Sequence, residues 1–261
     1  MDRRSFLAAT GALVVGSGGG IAVAPDEPAL AGGHSGPVLD WEWVGGFVPA
    51  GYEALRAPRL VGYADGLVVA DADRQLRLSR ADLDALRWYA AGVLRDPANL
   101  RPRPGGPQVA DVPATLFTVR APRGRGYAAQ VEALEATRFA HVYPRPLYGL
   151  LDRLAAVRRR VLAVGAGYRP DAVRLVAVVT GEPGSGPVAG SGPVPGWPAG
   201  VPVPPIAGDE IVGVADLRGA GARAVVRAVP PHWSTFRTAD GRHLQAAWRR
   251  LLPHEGRPTL P

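Results

Sequence analysis

The chain contains no cysteine. That excludes disulfides, thiolate metal centres, a cysteine nucleophile and a lipid anchor on an N-terminal cysteine. Lysine is missing too, so all 30 basic residues are arginine, and isoleucine occurs only at Ile21, Ile206 and Ile211. Both biases fit a GC-rich coding sequence. Without lysine there is no Gly-x-x-x-x-Gly-Lys phosphate loop, and no Gly-x-Gly-x-x-Gly follows a strand pattern. His34, His141, His232, His243 and His254 are dispersed and form no i,i+4 pair on a helix. A metal centre needs three or four convergent ligands, so neither metal nor cofactor is expected. The nearest approach to a nucleophile elbow, Gly33-His34-Ser35-Gly36, has Pro37 where the last glycine belongs and lacks a strand before it.

What is present suits a globular fold. The 261 residues are 47% apolar, enough to build a core, while 34 glycines and 27 prolines imply many turns. The formal charge of +7 favours acidic partners, yet the arginines are spread along the chain among Asp and Glu. The densest cluster, Arg158-Arg159-Arg160 with Arg153 shortly before it, offers one patch for anionic wall polymers or lipid headgroups.

The N-terminus specifies an address. Arg3 and Arg4 precede Phe6 and Leu7 in the manner of a twin-arginine export signal. The apolar region from Phe6 to Ala24 is thinned by five glycines, and Ala29-Leu30-Ala31 forms a small-x-small cleavage site before Gly32. Residues 1–31 are therefore expected to be a removable leader and 32–261 a secreted or wall-associated domain without an integral membrane span. Outside the cell nucleic acid is scarce, so it is not an expected partner.

Along the mature chain, strand and helix signals alternate. In "VLDWEWV", Leu39, Trp41 and Trp43 share one face and Asp40 and Glu42 the other, as in a half-buried strand with its acids toward solvent. A hairpin is predicted around Asp65-Gly66, since Asp-Gly takes positive φ readily. Ser79 caps a helix whose Leu83, Leu86, Ala90, Val93 and Leu94 fall on one side, and Pro97 ends it. "TLFTVRAPRGRGYAAQVEAL" predicts a second hairpin, a helix follows from Pro146 to Gly165, and "AVRLVAVVT" reads as a buried strand. Residues 181–208 are a Gly/Pro-rich excursion without a face to bury, so shortening them is expected to change stability by about 1 kcal/mol or less, and by much more if the isolated aromatic Trp197 clamps the stretch onto the domain. "EIVGV" resumes as a strand, Asp216 is placed as the cap of a short helix to Ala228, and a last hairpin turns at Asp240-Gly241. Hairpins join most neighbouring strands. The fold class is α+β, an antiparallel or mixed sheet with two or three helices packed on it.

Candidate chemistry is sparse. Asp40 and Glu42 are the paired carboxylates that a glycosidase would need, but spacing along a strand says nothing of a shifted pKa. "WVGGFVPAGYEALRAPRLVGYADGLVV", "DVPATLFTVRA" and "STFRTADGRHLQAAWRRLLPHE" resemble a group of actinobacterial exported proteins and lipoproteins that share Val-Gly-Gly-Phe-Val-Pro, Leu-Val-x-Tyr-x-Asp-Gly and Arg-x-Leu-Leu-Pro segments. The resemblance spans residues 38–255 with gaps and implies an envelope location but no catalytic or binding residues. The lipobox cysteine of many such proteins is missing here. The sequence thus points to an exported, non-catalytic envelope module, with a secreted hydrolase using the acidic pair as the alternative.

Replacing Arg3 and Arg4 together with lysine should strand the protein in the cytoplasm, and N-terminal sequencing of the exported wild type should begin at Gly32. Normal export of the double variant in a fractionation experiment would contradict the twin-arginine reading.

Overall fold

A computed structural model describes residues 36–181 and 193–255, together with the backbone of residues 21–22. Eight strands form the first sheet: β1 (Ile21–Ala22), β2 (Leu39–Val44), β3 (Leu60–Gly62), β4 (Leu67–Ala70), β5 (Arg74–Arg77), β6 (Ala114–Arg120), β7 (Gly126–Val131) and β8 (Ala166–Gly167). Their spatial order is β1-β7-β6-β2-β3-β4-β5-β8, with every neighbouring pair antiparallel. A second antiparallel sheet has the order β10-β9-β12-β11 and is built from β9 (Ala172–Gly181), β10 (Val212–Arg218), β11 (Ser234–Arg237) and β12 (His243–Arg250). Four helices complete the fold: α1 (Tyr52–Leu55), α2 (Arg80–Leu94), α3 (Arg145–Val164) and α4 (Gly219–Ala228). The α+β class holds, and the sheets are antiparallel, with helices packed on them.

The local signals explain the elements. Asp65 and Gly66 make the predicted turn: the Asp65 carboxylate accepts from the Leu67 amide at 3.1 Å, and Gly66 sits at φ 87°. Ser79 caps α2 by accepting from the Asp82 amide at 3.1 Å. That helix and α3 lay their apolar sides on one face of the first sheet. Leu83, Leu94, Leu147, Leu150 and Leu154 meet Leu39, Trp41, Leu60 and Phe117 there, all almost fully buried. Each such side chain contributes about 2 kcal/mol of transfer free energy, so this layer supplies the main core.

A second core belongs to the second sheet. Val173, Leu175, Ala246 and Trp248 pack under Ala222 and Val225 of α4, and the Trp248 indole donates to the Val229 carbonyl at 2.7 Å. Between the sheets, Val61, Tyr63 and Val69 of the first meet Tyr168 and Leu252. The short α1 packs against the second sheet. Gly51 permits it, because a Cβ at that position would lie 2.8 Å from Val178 and 2.9 Å from Trp233.

Three readings change. Asp216 is not a helix cap: β10 runs through to Arg218, and Asp216 pairs with Arg174 across the strands at 2.8 and 2.9 Å. The ion pair holds that segment extended, and the helix starts at Gly219 instead. The sequence reading also lacked β5 and α1, both too short for periodicity to register. Finally, residues 193–208 are not faceless. Trp197 stacks edge-on against Phe236 at 5.6 Å and donates to the Val201 carbonyl at 2.8 Å. Val201 is buried in the second core, and Gly196 bridges to Arg237 beside β11. Residues 182–192 lie outside the described part, as do Arg3, Arg4, Phe6, Leu7, Ala29 and Ala31 of the export signal.

Trp197→Ala should therefore cost about 2 kcal/mol, less than a fully buried tryptophan because one side of the ring remains open. Urea unfolding should show a lower midpoint at unchanged slope. An unchanged midpoint would mean that the docked segment adds nothing to the second core.

Candidate functional site

The alternation of β2 places Asp40 and Glu42 on the face opposite Leu39 and Trp41, as the sequence implies. That face, however, is not open to solvent as a whole: Asp40 and Glu42 are half-buried. Asp40 lies opposite Val61 in the register, and Val61 is fully buried beneath Leu252 and Tyr168. The chain after β12 and the second sheet cover it, so the acids belong to a polar layer between the sheets. This overturns the expectation of a solvated acid pair. A period of two identifies which residues share a face, but not what covers that face.

The layer is organised by one arginine. Arg249 of β12 donates from Nη1 and Nη2 to the two carboxylate oxygens of Glu255 at 2.7 and 2.6 Å, and from Nε to the Ala54 carbonyl of α1 at 3.3 Å. Glu255 also accepts from the Leu252 amide at 2.9 Å. The pair is largely buried, with side-chain exposures of 10% and 16%. Burial raises the Glu255 pKa, but the Arg249 hydrogen bonds and charge outweigh it and hold the carboxyl below its ordinary value. Close by, Tyr63 and His254 share a hydrogen bond of 2.8 Å between the phenol oxygen and Nδ1. Burial pushes the Tyr63 and Tyr168 phenols far up, so both stay neutral, and Tyr168 donates to the Leu251 carbonyl at 2.8 Å.

Asp40 behaves differently. Its Oδ1 is sealed from solvent and has no hydrogen-bond partner. Burial first, then the charges of Glu42 and Glu255, raise its pKa well above the ordinary value, and the Trp41 backbone amide offsets only part of this. Glu42 is raised by burial and by Glu255, against the pull of Arg249 and Arg56. Both neighbouring acids have pKa values pushed up, the direction in which a general acid is tuned.

Access decides what such a pair can do. Neither of two surface cavities among the described residues is lined by Asp40 or Glu42. One, of about 450 Å³, lies between Asp71–Asp73 after β4 and Trp248–Arg250 of β12, with Val226 and Pro231 on its wall. The other, of about 750 Å³, runs along Trp197, Val201 and Val203 beside Arg237 and Thr238. Arg249 touches both the first cavity and the acid layer.

The arginines of α3 do not form one patch. Arg158 makes a bidentate pair with Asp71, Nε to Oδ1 at 2.9 Å and Nη2 to Oδ2. Arg153 stacks over Tyr89 at 4.1 Å. Arg159 and Arg160 are exposed, and at about 100° per residue they diverge around the helix. Sequence reasoning missed Arg249, Glu255, Tyr63 and the Asp71–Asp73 turn. Their only signal was a pair of complementary charge clusters, "DAD" at 71–73 and "WRR" at 248–250, separated by more than half the chain.

Among the described residues no group of three or more His, Asp or Glu converges to hold a metal ion. No known protein family, no curated protein and no solved structure matches the chain.

The acid pair predicts a pH signature. The folded state keeps a proton on Asp40 that the unfolded chain releases near pH 4. Stability should therefore fall as pH rises from about 4 towards the raised folded pKa, at up to about 1.4 kcal/mol per pH unit for one proton. Asp40→Asn should flatten that slope in denaturant titrations above pH 5, where Glu255 is already ionised in both states. Parallel slopes in variant and wild type would show that Asp40 is not the group holding the proton.

Proposed function

We propose that the protein is an exported, non-catalytic binding module of the cell envelope that recognises anionic surfaces through arginine. The observation that carries this reading is the surplus of exposed arginines left after the internal ion pairs are made. Arg159, Arg160, Arg169, Arg223 and Arg227 are exposed and have no acidic partner among the described residues. Removal of residues 1–31 takes Arg3 and Arg4 with Asp2, Asp26 and Glu27, leaving 28 arginines against 20 acidic residues. Arginine's planar fork suits phosphate and carboxylate oxygens and stays charged at any physiological pH. The resemblance to exported actinobacterial proteins points to the same compartment.

The alternative, a secreted hydrolase, draws on the raised pKa of Asp40 beside Glu42. It is less well supported, because neither acid lines a cavity among those described and Glu42 answers to Arg56 and Arg249.

Purified walls from the producing cell should carry the mature protein down on sedimentation at low salt. Most of it should be released at 0.5 M salt, where screening shortens the range of surface charge to a few ångströms. Failure to sediment at low salt would remove the envelope reading. Salt-indifferent sedimentation would remove its electrostatic basis.

A further inference from the structure

We infer that the open edge of the second sheet, along β10, pairs with β10 of a second copy of the chain and joins two four-stranded sheets into one. This goes beyond the envelope reading and does not depend on it. The two edges of the second sheet are treated differently. Residues 195–197 run beside β11, where the Trp197 amide donates to the Arg237 carbonyl and the Arg237 amide to the Pro195 carbonyl, both at 2.8 Å. The other edge, β10, has seven residues and no strand beyond it among the described residues.

The register fixes which backbone groups of β10 look outward. Val179 donates to the Ile211 carbonyl at 2.8 Å and Gly219 to the Asp171 carbonyl at 3.0 Å, so at both ends the odd-numbered residues bond to β9. Bonding alternates along an antiparallel ladder, and the amides and carbonyls of Val212, Val214 and Asp216 therefore turn away from β9. No described group bonds to them. Residues 204–206 pack on the face of β10 at Gly213, where a Cβ would meet the Ile206 side chain at 2.6 Å, and make no backbone hydrogen bond to the edge. Chains that stay single blunt such an edge with proline, lysine or a bulge. β10 has none of these, its pairing with β9 is regular, and Val214 is 40% exposed with Ile211 just before it at 53%.

Side chains select one register. A two-fold axis at Val214 sets Val214 against the partner's Val214 and Val212 against the partner's Asp216, so that outward residues meet outward residues. Asp216 is already neutralised by Arg174 and brings no unpaired charge to that contact. The same axis sets Glu210 opposite the partner's Arg218, twice by symmetry. Glu210 is exposed and has no ion partner among the described residues. Arg218 donates from Nη2 to the Glu255 carbonyl at 3.4 Å, and its fork of donors serves a carboxylate as well. Moving the axis to Ala215 would set Val214 against the partner's Asp216 and Glu210 against the partner's Ala220, losing both the apolar pair and the charge pair. Cross-strand pairs of β-branched residues and of opposite charges are the contacts that stabilise a ladder.

Sedimentation velocity of the purified protein over a range of concentrations tests the assignment. A reversible dimer with a dissociation constant of about 10 µM is expected, since pairing along one edge buries little area. Val214→Lys, which places like charges on the axis, should weaken it at least about tenfold. Glu210→Arg should weaken it as well, and adding Arg218→Glu should restore it. Hydrogen exchange in the wild type should protect the Val212, Val214 and Asp216 amides at high concentration and release them on dilution. Thermal melting shows whether each variant is folded; where one is not, the wild-type amides decide. A monomer at every concentration overturns the proposal, leaving the edge to another protein or to the chain itself. A dimer that Val214→Lys leaves intact, or whose β10 amides exchange freely, overturns it too, because the interface then lies elsewhere. Failure of the charge swap to restore the dimer overturns the register.

Discussion

Arg249 and Glu255 do more than neutralise each other. Through its Nε the arginine reaches α1, and through its oxygens the glutamate fixes the turn at Leu252, which closes over Val61 and Tyr63. One ion pair therefore sets how the second sheet lies on the first. Two charges removed from water cost several kcal/mol each, and only close bidentate geometry with further hydrogen bonds repays it. That condition is met here, which explains why a polar layer can occupy a position where an apolar core would otherwise be required.

Asp40 is the cost of the same arrangement. Arg249 is taken by Glu255, while Asp40 is left with an unpartnered oxygen and a pKa raised by burial and by the neighbouring acids. A conserved charge balance does not follow from burial alone; geometry assigns the arginine to one acid and denies it to the others. Similar competition operates at the other end of the cleft, where Arg158 claims Asp71 and leaves Asp73 with loose partners.

Much of the fold was legible. The Ser79 cap, the Asp65-Gly66 and Asp240-Gly241 turns, the alternation of β2 and the apolar side of α3 are local signals, and each was written in a few neighbouring residues. The division into two sheets was not, because it depends on which hairpins pair with which, and β9 pairs with β12 across about seventy residues. The stretch around Trp197 has the composition of a linker, and the isolated aromatic the sequence marked as a clamp is what docks it. For the site, the sequence showed the two acids and their shared face. It could not show Arg249 or Glu255 as their neighbours, since partners two hundred residues away leave no mark on local periodicity.

The hydrogen bond between Tyr63 and His254 joins residues 191 positions apart, and that between Arg249 and Ala54 spans 195. The face of a strand that begins at Leu39 is closed only by the last turn of described chain. During synthesis the ribosome delivers that turn late, so β2 to β7 and their two helices wait with one side uncovered until the second sheet and the turn after it have been added. Closing such distant contacts carries a high loop entropy and makes folding slow relative to chains held together by neighbours. The first sheet is closed only when residues 249–255 are in place, and that late turn acts as the keystone.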